Sequence, residues 1–317
     1  MREKEGTKKA GRGLGWLSLC TWLCILPIVF RGGAWYNTTK MKRLLTIQDI
    51  SCVGQCSTTV ALPLVSACGV ECAILPSAVL SNHTGGFSSW TYADLTPELS
   101  NVERKWNELG ITFDAFYTGY VGESQIDPIL SIMSSCAAAG AIRVVDPAMA
   151  DNGRLYPGFA DDFPTKMAKL CNGADYILPN LTEAALLVGD EPRLECYTRD
   201  DIEFLITKLH GLGAKNVVLT GVSFDSGELG SAVSDGKKVE YDFNPRIDRM
   251  SHGTGDVYAS VFAGALLRGR TALEAAALAA DVVCEAIKGT DPDHWYGVSF
   301  EKALPFLVNA LGGDAAK

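Results

Sequence analysis

From Met41 onward, short apolar runs alternate with helix-like segments, and no other feature restricts the fold of this chain as tightly. The runs Leu44–Ile50, Cys72–Leu75, Ala115–Thr118, Ile142–Val145, Tyr176–Leu178 and Val217–Thr220 show no polar face, as expected of parallel strands buried on both sides. Between them, the spacing of apolar residues predicts helices over Thr58–Ala67, Glu98–Leu109, Ile126–Ala139, Phe163–Leu170 and Ile202–Leu212. Gly69, Gly110, Gly140 and Gly213 stand just before the next strand, where helices commonly stop. Strict alternation of strand and helix predicts an α/β fold, a doubly wound and mostly parallel sheet between two helical layers. Gly230–Phe243 departs from it and reads as a small β-hairpin insertion turning at Asp235-Gly236. Three further helices, Gly255–Leu267, Ala272–Lys288 and Phe300–Leu311, follow. Without a linker or a repeat, residues 41–317 read as one domain.

Composition divides the chain in two. The net charge of −9 argues against a surface that coats nucleic acid, so no nucleic-acid partner is expected. That average hides a seam: residues 1–40 carry 7 Lys and Arg against 2 acids, whereas residues 41–317 carry 21 against 35. Arg2, Lys4, Lys8, Lys9 and Arg12 precede an uncharged apolar run from Leu14 to Phe30. This leader reads as a start assigned upstream of Met41, as a short membrane anchor, or as a cleaved signal peptide. The run is interrupted by Gly15, Ser18, Thr21 and Pro27 and falls short of the roughly 20 residues a span takes. Ten cysteines in 317 residues are too few for a disulfide scaffold and fit a reducing compartment. Three pairs share a spacing of four, Cys20/Cys24, Cys52/Cys56 and Cys68/Cys72, but no His lies near any of them. They read as small buried hydrophobes rather than zinc ligands. Cys52 and Cys56 fall on the loop after the first strand, where either could face a substrate.

In open α/β sheets, ligands sit beyond the carboxyl ends of the strands. Asp49 closes the first strand, Asp146 the fourth, Asn180 and Glu183 follow the fifth, and Thr220 ends the sixth. These residues should therefore share one rim. Ser251-His252-Gly253-Thr254-Gly255-Asp256 opens an apolar helix. Backbone N–H groups at such a start can hold a phosphate or a developing anion, and an Asp beside them could accept a proton from a hydroxyl. The alternative is that Asp256 only stabilises the first helical turn. A G-x-x-x-x-G-K-[ST] phosphate loop is absent, and no G-x-G-x-x-G follows a strand, which removes P-loop enzymes and disfavours dinucleotide enzymes.

The motifs resemble those of the ribokinase-like kinases. Gly253-Thr254-Gly255-Asp256 looks like their C-terminal signature, and Asp146–Tyr156 resembles a D-P-V-M-x-D-x-G-x-L-Y segment of the vitamin kinases. Pro179-Asn180-Leu181-Thr182-Glu183-Ala184 is similar to a P-N-x-x-E-A element, and Ser81-Asn82-His83-Thr84 and Thr118-Gly119-Tyr120 resemble elements of the pyridoxal (pyridoxamine) kinase branch. The match runs from about Arg43 to Thr290 with every motif in order. It implies ATP-dependent phosphorylation of the 5′-hydroxymethyl group of pyridoxal, pyridoxamine or pyridoxine. Asp256 would be the base, with Gly253, Thr254 and Gly255 as the anion hole. Asp146, Asn180, Glu183 and Thr220 would lie at the nucleotide. Asp151 and Glu183, with Asp146, would place Mg²⁺ and its waters around the ATP phosphates, as hard oxygen ligands suit that ion. Asp49, Thr84, Tyr120 and Tyr156 would line the substrate pocket. The resemblance also implies a homodimer, a cytoplasmic location and a requirement for a monovalent cation such as K⁺. A need for cytosolic ATP weighs against export of the leader, and membrane association would arise only through residues 14–30.

One departure blurs the substrate. Asp49 stands where many pyridoxal kinases have Ser, and Asp there is common in sugar and hydroxymethylpyrimidine kinases. The rival enzyme is therefore a hydroxymethylpyrimidine kinase of thiamine biosynthesis. A sugar kinase fits less well, because Arg43–Thr84 leaves little room for its lid. The rival without catalysis is a carrier or regulator that binds pyridoxal phosphate or nucleotide, a role with no use for Asp256 as a base. His83 reads as a loop-fixing residue, and His252 as a helix-entry packing residue or a modulator of the nucleotide. Asp161, Asp162, Asp291 and Asp293 read as surface charges, and Trp90, Trp106 and Trp295 as packing residues.

Overall fold

A computed structural model describes residues 40–194, 197–249 and 251–312; the leader, with its three readings, lies outside the described residues. Strand β1 (Arg43–Ser51) alternates between two apolar layers. Leu44 packs on one side and Leu45 and Ile47 on the other, all with no exposed surface. It is followed by α1 (Thr58–Ala67), β2 (Glu71–Leu80), β3 (Tyr92–Asp94), α2 (Thr96–Leu109), β4 (Phe113–Thr118), α3 (Ile126–Ser135) and β5 (Ala137–Val145). Next come the ribbon β6 (Ala150–Asp151) and β7 (Arg154–Leu155), then α4 (Phe163–Cys171), β8 (Tyr176–Ile177), α5 (Leu181–Leu187), α6 (Arg199–Gly211) and β9 (Asn216–Val222). The chain continues through β10 (Glu228–Ser234), β11 (Val239–Pro245), α7 (Thr254–Leu267), α8 (Ala272–Gly289) and α9 (Leu304–Gly312).

The main sheet has the order β11-β10-β9-β8-β5-β4-β1-β2-β3. Pairings from β2 across to β9 are parallel, while β3 and the β10–β11 hairpin add antiparallel edges. Leu44, Tyr117 and Val144 face Val60, Leu64, Phe262 and Val282 of α1, α7 and α8. Leu45, Phe116 and Val145 share the opposite layer with Ile129, Met167 and Ile206 of α3, α4 and α6. The three-layer α/β/α architecture is the expected one. Full burial of each large side chain contributes about 1.5–3 kcal/mol. Helix α7 is apolar on nearly every side and accordingly lies inside the protein. Among the described residues, no helix is long and apolar enough to cross a membrane.

Local expectation fails where tertiary pairing overrides propensity. Helix α3 ends at Ser135, and the alanines after Cys136, good helix formers, instead extend β5. Gly140 is thus no helix stop: at φ +75° it sits within the strand, where the register with β4 shifts. Strand β2 runs past the expected end at Leu75 to Leu80: Pro76 pairs with Gln48, and the register with β1 shifts between Gln48 and Ile50. Helix α5 was not expected, although its start is a capping box: the Asn180 side chain accepts from the Glu183 N–H at 2.9 Å, and Glu183 Oε2 accepts from the Asn180 N–H at 2.9 Å.

Candidate active site

Because β1 has β2 on one side and β4 on the other, strand order reverses beside it, and a crevice opens at the carboxyl ends. Along that edge come Asp49 (β1), Tyr120 (after β4), Asp146 (after β5), Asn180 (after β8) and Thr220 (β9). Four strand spacings of about 4.8 Å separate the first from the last by roughly 19 Å. A cavity of about 720 Å³ follows this edge. It is lined by all the residues to which the resemblance assigns a role at the site: Asp49, Thr84, Tyr120, Asp146, Asp151, Tyr156, Asn180, Glu183, Thr220, Gly253, Thr254, Gly255 and Asp256.

Helix α7 opens at the middle of the cavity. Gly253 precedes it at φ +79°, and a Cβ there would lie 1.8 Å from the Gln55 carbonyl oxygen, so only glycine allows the contact. No side chain caps the helix, and space beside Gly255 is open. The first-turn N–H groups therefore face the cavity as donors for an anion. Burial pushes the Asp256 carboxyl up to about 7; the Asp49 charge adds to this, and the Ser57 N–H opposes it. Asp49 is 3% exposed and accepts a hydrogen bond from Ser51 Oγ at 2.8 Å. Burial raises its carboxyl above the usual range, while the hydroxyls of Ser57 and Ser51 work the other way.

Ser57 thus touches the balance of both carboxylates, through its hydroxyl and its N–H. Its φ of +52° is rare for a residue with a Cβ, a strain of about 1–3 kcal/mol that clusters at functional sites. Sequence reasoning passed over it, since nothing in the run Cys56-Ser57-Thr58 signals a positive φ. Of the two loop cysteines, Cys56 lines the cavity and Cys52 is exposed. Burial, then the charges of Asp256 and Asp49, push the Cys56 thiol far up, so it is a neutral wall rather than a thiolate nucleophile.

Asp146 and Glu183 form a buried acidic pair beyond Asp256. Glu183 Oε1 accepts from the N–H groups of Met149 (3.1 Å) and Ala150 (3.4 Å), and its other oxygen serves the α5 cap. Burial nonetheless pushes the Glu183 carboxyl up to about 8, with these N–H donors pulling the other way and the Asp151 charge adding to the rise. Burial and the charges of Glu183 and Asp256 then raise Asp146 well above the carboxylate range. Asn180 also donates from Nδ2 to the Ala150 carbonyl at 2.9 Å, so its amide is engaged at both ends in holding the loop. Asp151 stands on the exposed rim, on β6, accepting from the Asn152 N–H at 2.8 Å. Thr220 Oγ1 donates to the Pro179 carbonyl at 3.3 Å. Tyr156 is tied by its N–H to the Met149 carbonyl at 2.8 Å. Its phenol is raised by burial and by the nearby carboxylates, Glu183 first. Among the described residues, no group of three or more His, Cys, Asp or Glu side chains could hold a metal by itself.

Tyr120 packs on Phe159 with ring centroids 5.2 Å apart. His83 accepts from the Gly85 N–H at 3.3 Å and meets His252 edge-on at 5.5 Å. Trp295 packs on Phe87 and Tyr296 while keeping 54% of its surface exposed, a packing residue at the surface rather than in the core. The far end of the cavity was not legible in sequence. Leu229 and Gly230 of β10 and Ala280, Val283, Cys284 and Ile287 of α8 form an apolar slot there. Its two walls lie about fifty residues apart in the chain, and neither carries a motif.

Residues 64–298 match the family described as phosphomethylpyrimidine kinase. The chain belongs to that family. It is a kinase of the ribokinase-like superfamily, and pyridoxal kinases are among its relatives. The pyridoxal kinase of Dictyostelium discoideum is 28% identical over 260 residues, covering 77% of this chain and 82% of that protein. A Bacteroides thetaiotaomicron protein, assigned provisionally as a phosphomethylpyrimidine kinase and crystallised with pyridoxal, superposes with a TM-score of 0.80 at 30% identity, covering 84% of this chain and 96% of that one. The pyridoxal kinase of Lactobacillus plantarum gives a TM-score of 0.78 at 32% identity, covering 85% and 97%.

Proposed function

We propose that this phosphomethylpyrimidine kinase family member phosphorylates the 5′-hydroxymethyl group of pyridoxal, pyridoxamine or pyridoxine with ATP, forming the 5′-phosphate. The observation that carries the reading is Asp256, partly buried beside uncapped helix N–H groups at the middle of one cavity. One end of that cavity offers Asp49, Thr84 and Tyr120, and the other an apolar slot. A small polar heterocycle suits the first end, and a nucleotide base the second.

In this reading Asp256 takes the proton of the hydroxymethyl group as its oxygen attacks the γ-phosphorus, and the bond from that phosphorus to the ADP oxygen breaks. The N–H groups of Gly253, Thr254 and Gly255 hold the charge on the transferring oxygens, the larger share of catalysis in such reactions. Asp146, Asp151 and Glu183 fit Mg²⁺ as hard oxygen donors, and the mutual repulsion of buried Asp146 and Glu183 is what a cation would relieve. Lacking a cage of their own, they would hold it through water and the nucleotide phosphates, where it supplies charge neutralisation. Thr220 and Asn180 border the phosphate region, and Tyr156 closes the lid side. The homodimer, the cytoplasmic location, the monovalent cation and the assignment of the kinase domain to residues 41–317 belong to the same proposal.

A second reading, hydroxymethylpyrimidine kinase, is favoured by Asp49, whose buried carboxylate can accept from ring N–H or amino donors. The test is ADP release by the purified protein with pyridoxal, pyridoxamine, pyridoxine, hydroxymethylpyrimidine and ribose, alongside Asp256→Asn. Turnover on a B6 vitamer above the others is expected. Turnover on ribose alone, or an unimpaired Asp256→Asn, would sink the proposal.

A further inference from the structure

The short edge strand β3 has no part in the site so far, yet it is held to the substrate end with unusual care. Tyr92 pairs directly across from Leu80, and Leu80 lines the cavity. Residues opposite one another in an antiparallel pair share a face, with Cβ atoms about 5 Å apart, so Tyr92 lies on the same face as Leu80, next to the residues that line the cavity. It keeps 50% of its surface exposed, although it is a large aromatic residue.

One buried side chain positions both Tyr92 and Tyr120. Gln125 is 1% exposed; its Nε2 lies 2.8 Å from the Ser77 carbonyl and 3.2 Å from Asp94 Oδ1, while its Oε1 accepts from the Gly122 N–H at 2.8 Å. Asp94 is two residues after Tyr92, and Gly122 two residues after Tyr120. Ser77 Oγ also donates to the Tyr120 carbonyl at 3.1 Å. Tyr120 is backed by Phe159, itself stacked on Phe163 at 4.0 Å, so one side of the pocket mouth is a rigid aromatic wall. Burial is the main cause that raises both phenols; the Asp49 charge adds to each and Tyr92 adds to Tyr120, so the three groups lie within electrostatic reach of one another.

We infer that Tyr92 is a specificity-determining residue, an aromatic wall that with Tyr120 encloses a planar heteroaromatic ring above Asp49. The inference rests on the reading of the substrate as such a heterocycle. A sugar ring, puckered and without a π face, gains less from two phenol walls.

The test is calorimetric titration of the full chain with pyridoxal, and separately with ATP, for wild type, Tyr92→Ala and Tyr92→Phe. Tyr92→Ala should weaken pyridoxal about 3- to 10-fold and leave ATP within about twofold, while Tyr92→Phe keeps wild-type affinity for both. Unchanged pyridoxal affinity in Tyr92→Ala, or equal loss in Tyr92→Phe, overturns the aromatic wall. If the wild type binds neither pyridoxal nor hydroxymethylpyrimidine, the heterocycle reading fails and the wall with it. Tyr92 is half exposed, so loss of ATP binding in Tyr92→Ala would also count against a local role.

Discussion

Asp256 shows how a single carboxylate can be poised by its surroundings. Its ordinary value of 3.8 rises to about 7 because burial disfavours the charged form. In its proposed role of base it works only when ionised, so activity should climb as pH rises through about 7, which a pH profile of kcat/KM would check. The effect on stability has the opposite sense. Between the two values the folded protein holds a proton that the unfolded chain has lost, so stability falls as pH rises from about 4 to about 7. Asp256→Asn should therefore lower kcat by about 10²–10⁴-fold and leave KM little changed. The same variant should gain more in Tm at pH 8 than at pH 5, because at pH 8 it relieves a buried charge that wild type must carry. Calorimetry at the two pH values checks this; an equal Tm change at both would contradict the account. The place of Asp256 in the site was legible because Gly-Thr-Gly-Asp is local, whereas Ser57 was hidden, since neither its positive φ nor its N–H bond to Asp256 shows in the local run.

The start of α7 depends on two glycines for different reasons. Gly253 has φ +79° and no room for a Cβ against Gln55, whereas Gly255 has open space around it and no positive φ. Gly253→Ala should push the helix off the Gln55 loop, lowering Tm and abolishing most activity. Gly255→Ala should keep Tm close to wild type, since an exposed first-turn alanine is well tolerated. It should still lower kcat about tenfold or more, because its methyl group enters the space offered to the phosphoryl group. Thermal unfolding read beside turnover separates the two. The α5 start teaches a related lesson. Asn180 and Glu183 are tied to each other and to the loop bearing Met149 and Ala150. Whatever they contribute to phosphate binding, they first build the wall in which Asp146 sits. The pattern Asn-x-x-Glu was visible as a capping box, so α5 was within reach of sequence reasoning; the long-range bonds were not.

The described residues from Lys40 onward belong to one compact unit, with the cavity running along the sheet edge within it. If residues 41–317 carry the whole activity, protein beginning at Met41 should turn over its substrate at the same kcat as the full chain. Pyridoxal or ATP at 100 times its Kd should stabilise that protein by about 2.7 kcal/mol, or several degrees in Tm by the usual scaling. A thermal shift by ATP without one by any heterocycle would contradict the proposed layout of the cavity.

The sequence by itself determined the alternation of the main strands and helices, the parallel sheet and the rim bearing Asp49, Asp146, Glu183, Thr220 and Asp256. These follow from short-range periodicity and from residues at strand ends, which a linear chain displays. Only the tertiary structure decided which partners meet across the chain. It turned Ala137–Gly140 from helix to strand, chose Cys56 over Cys52 for the cavity, and set Ser57 between two carboxylates. It also brought β10 and α8 together as the apolar slot, and put Tyr92 across from Leu80. The reason is physical: strand register and helix packing set these contacts, and both minimise the free energy of the whole core rather than of any local segment.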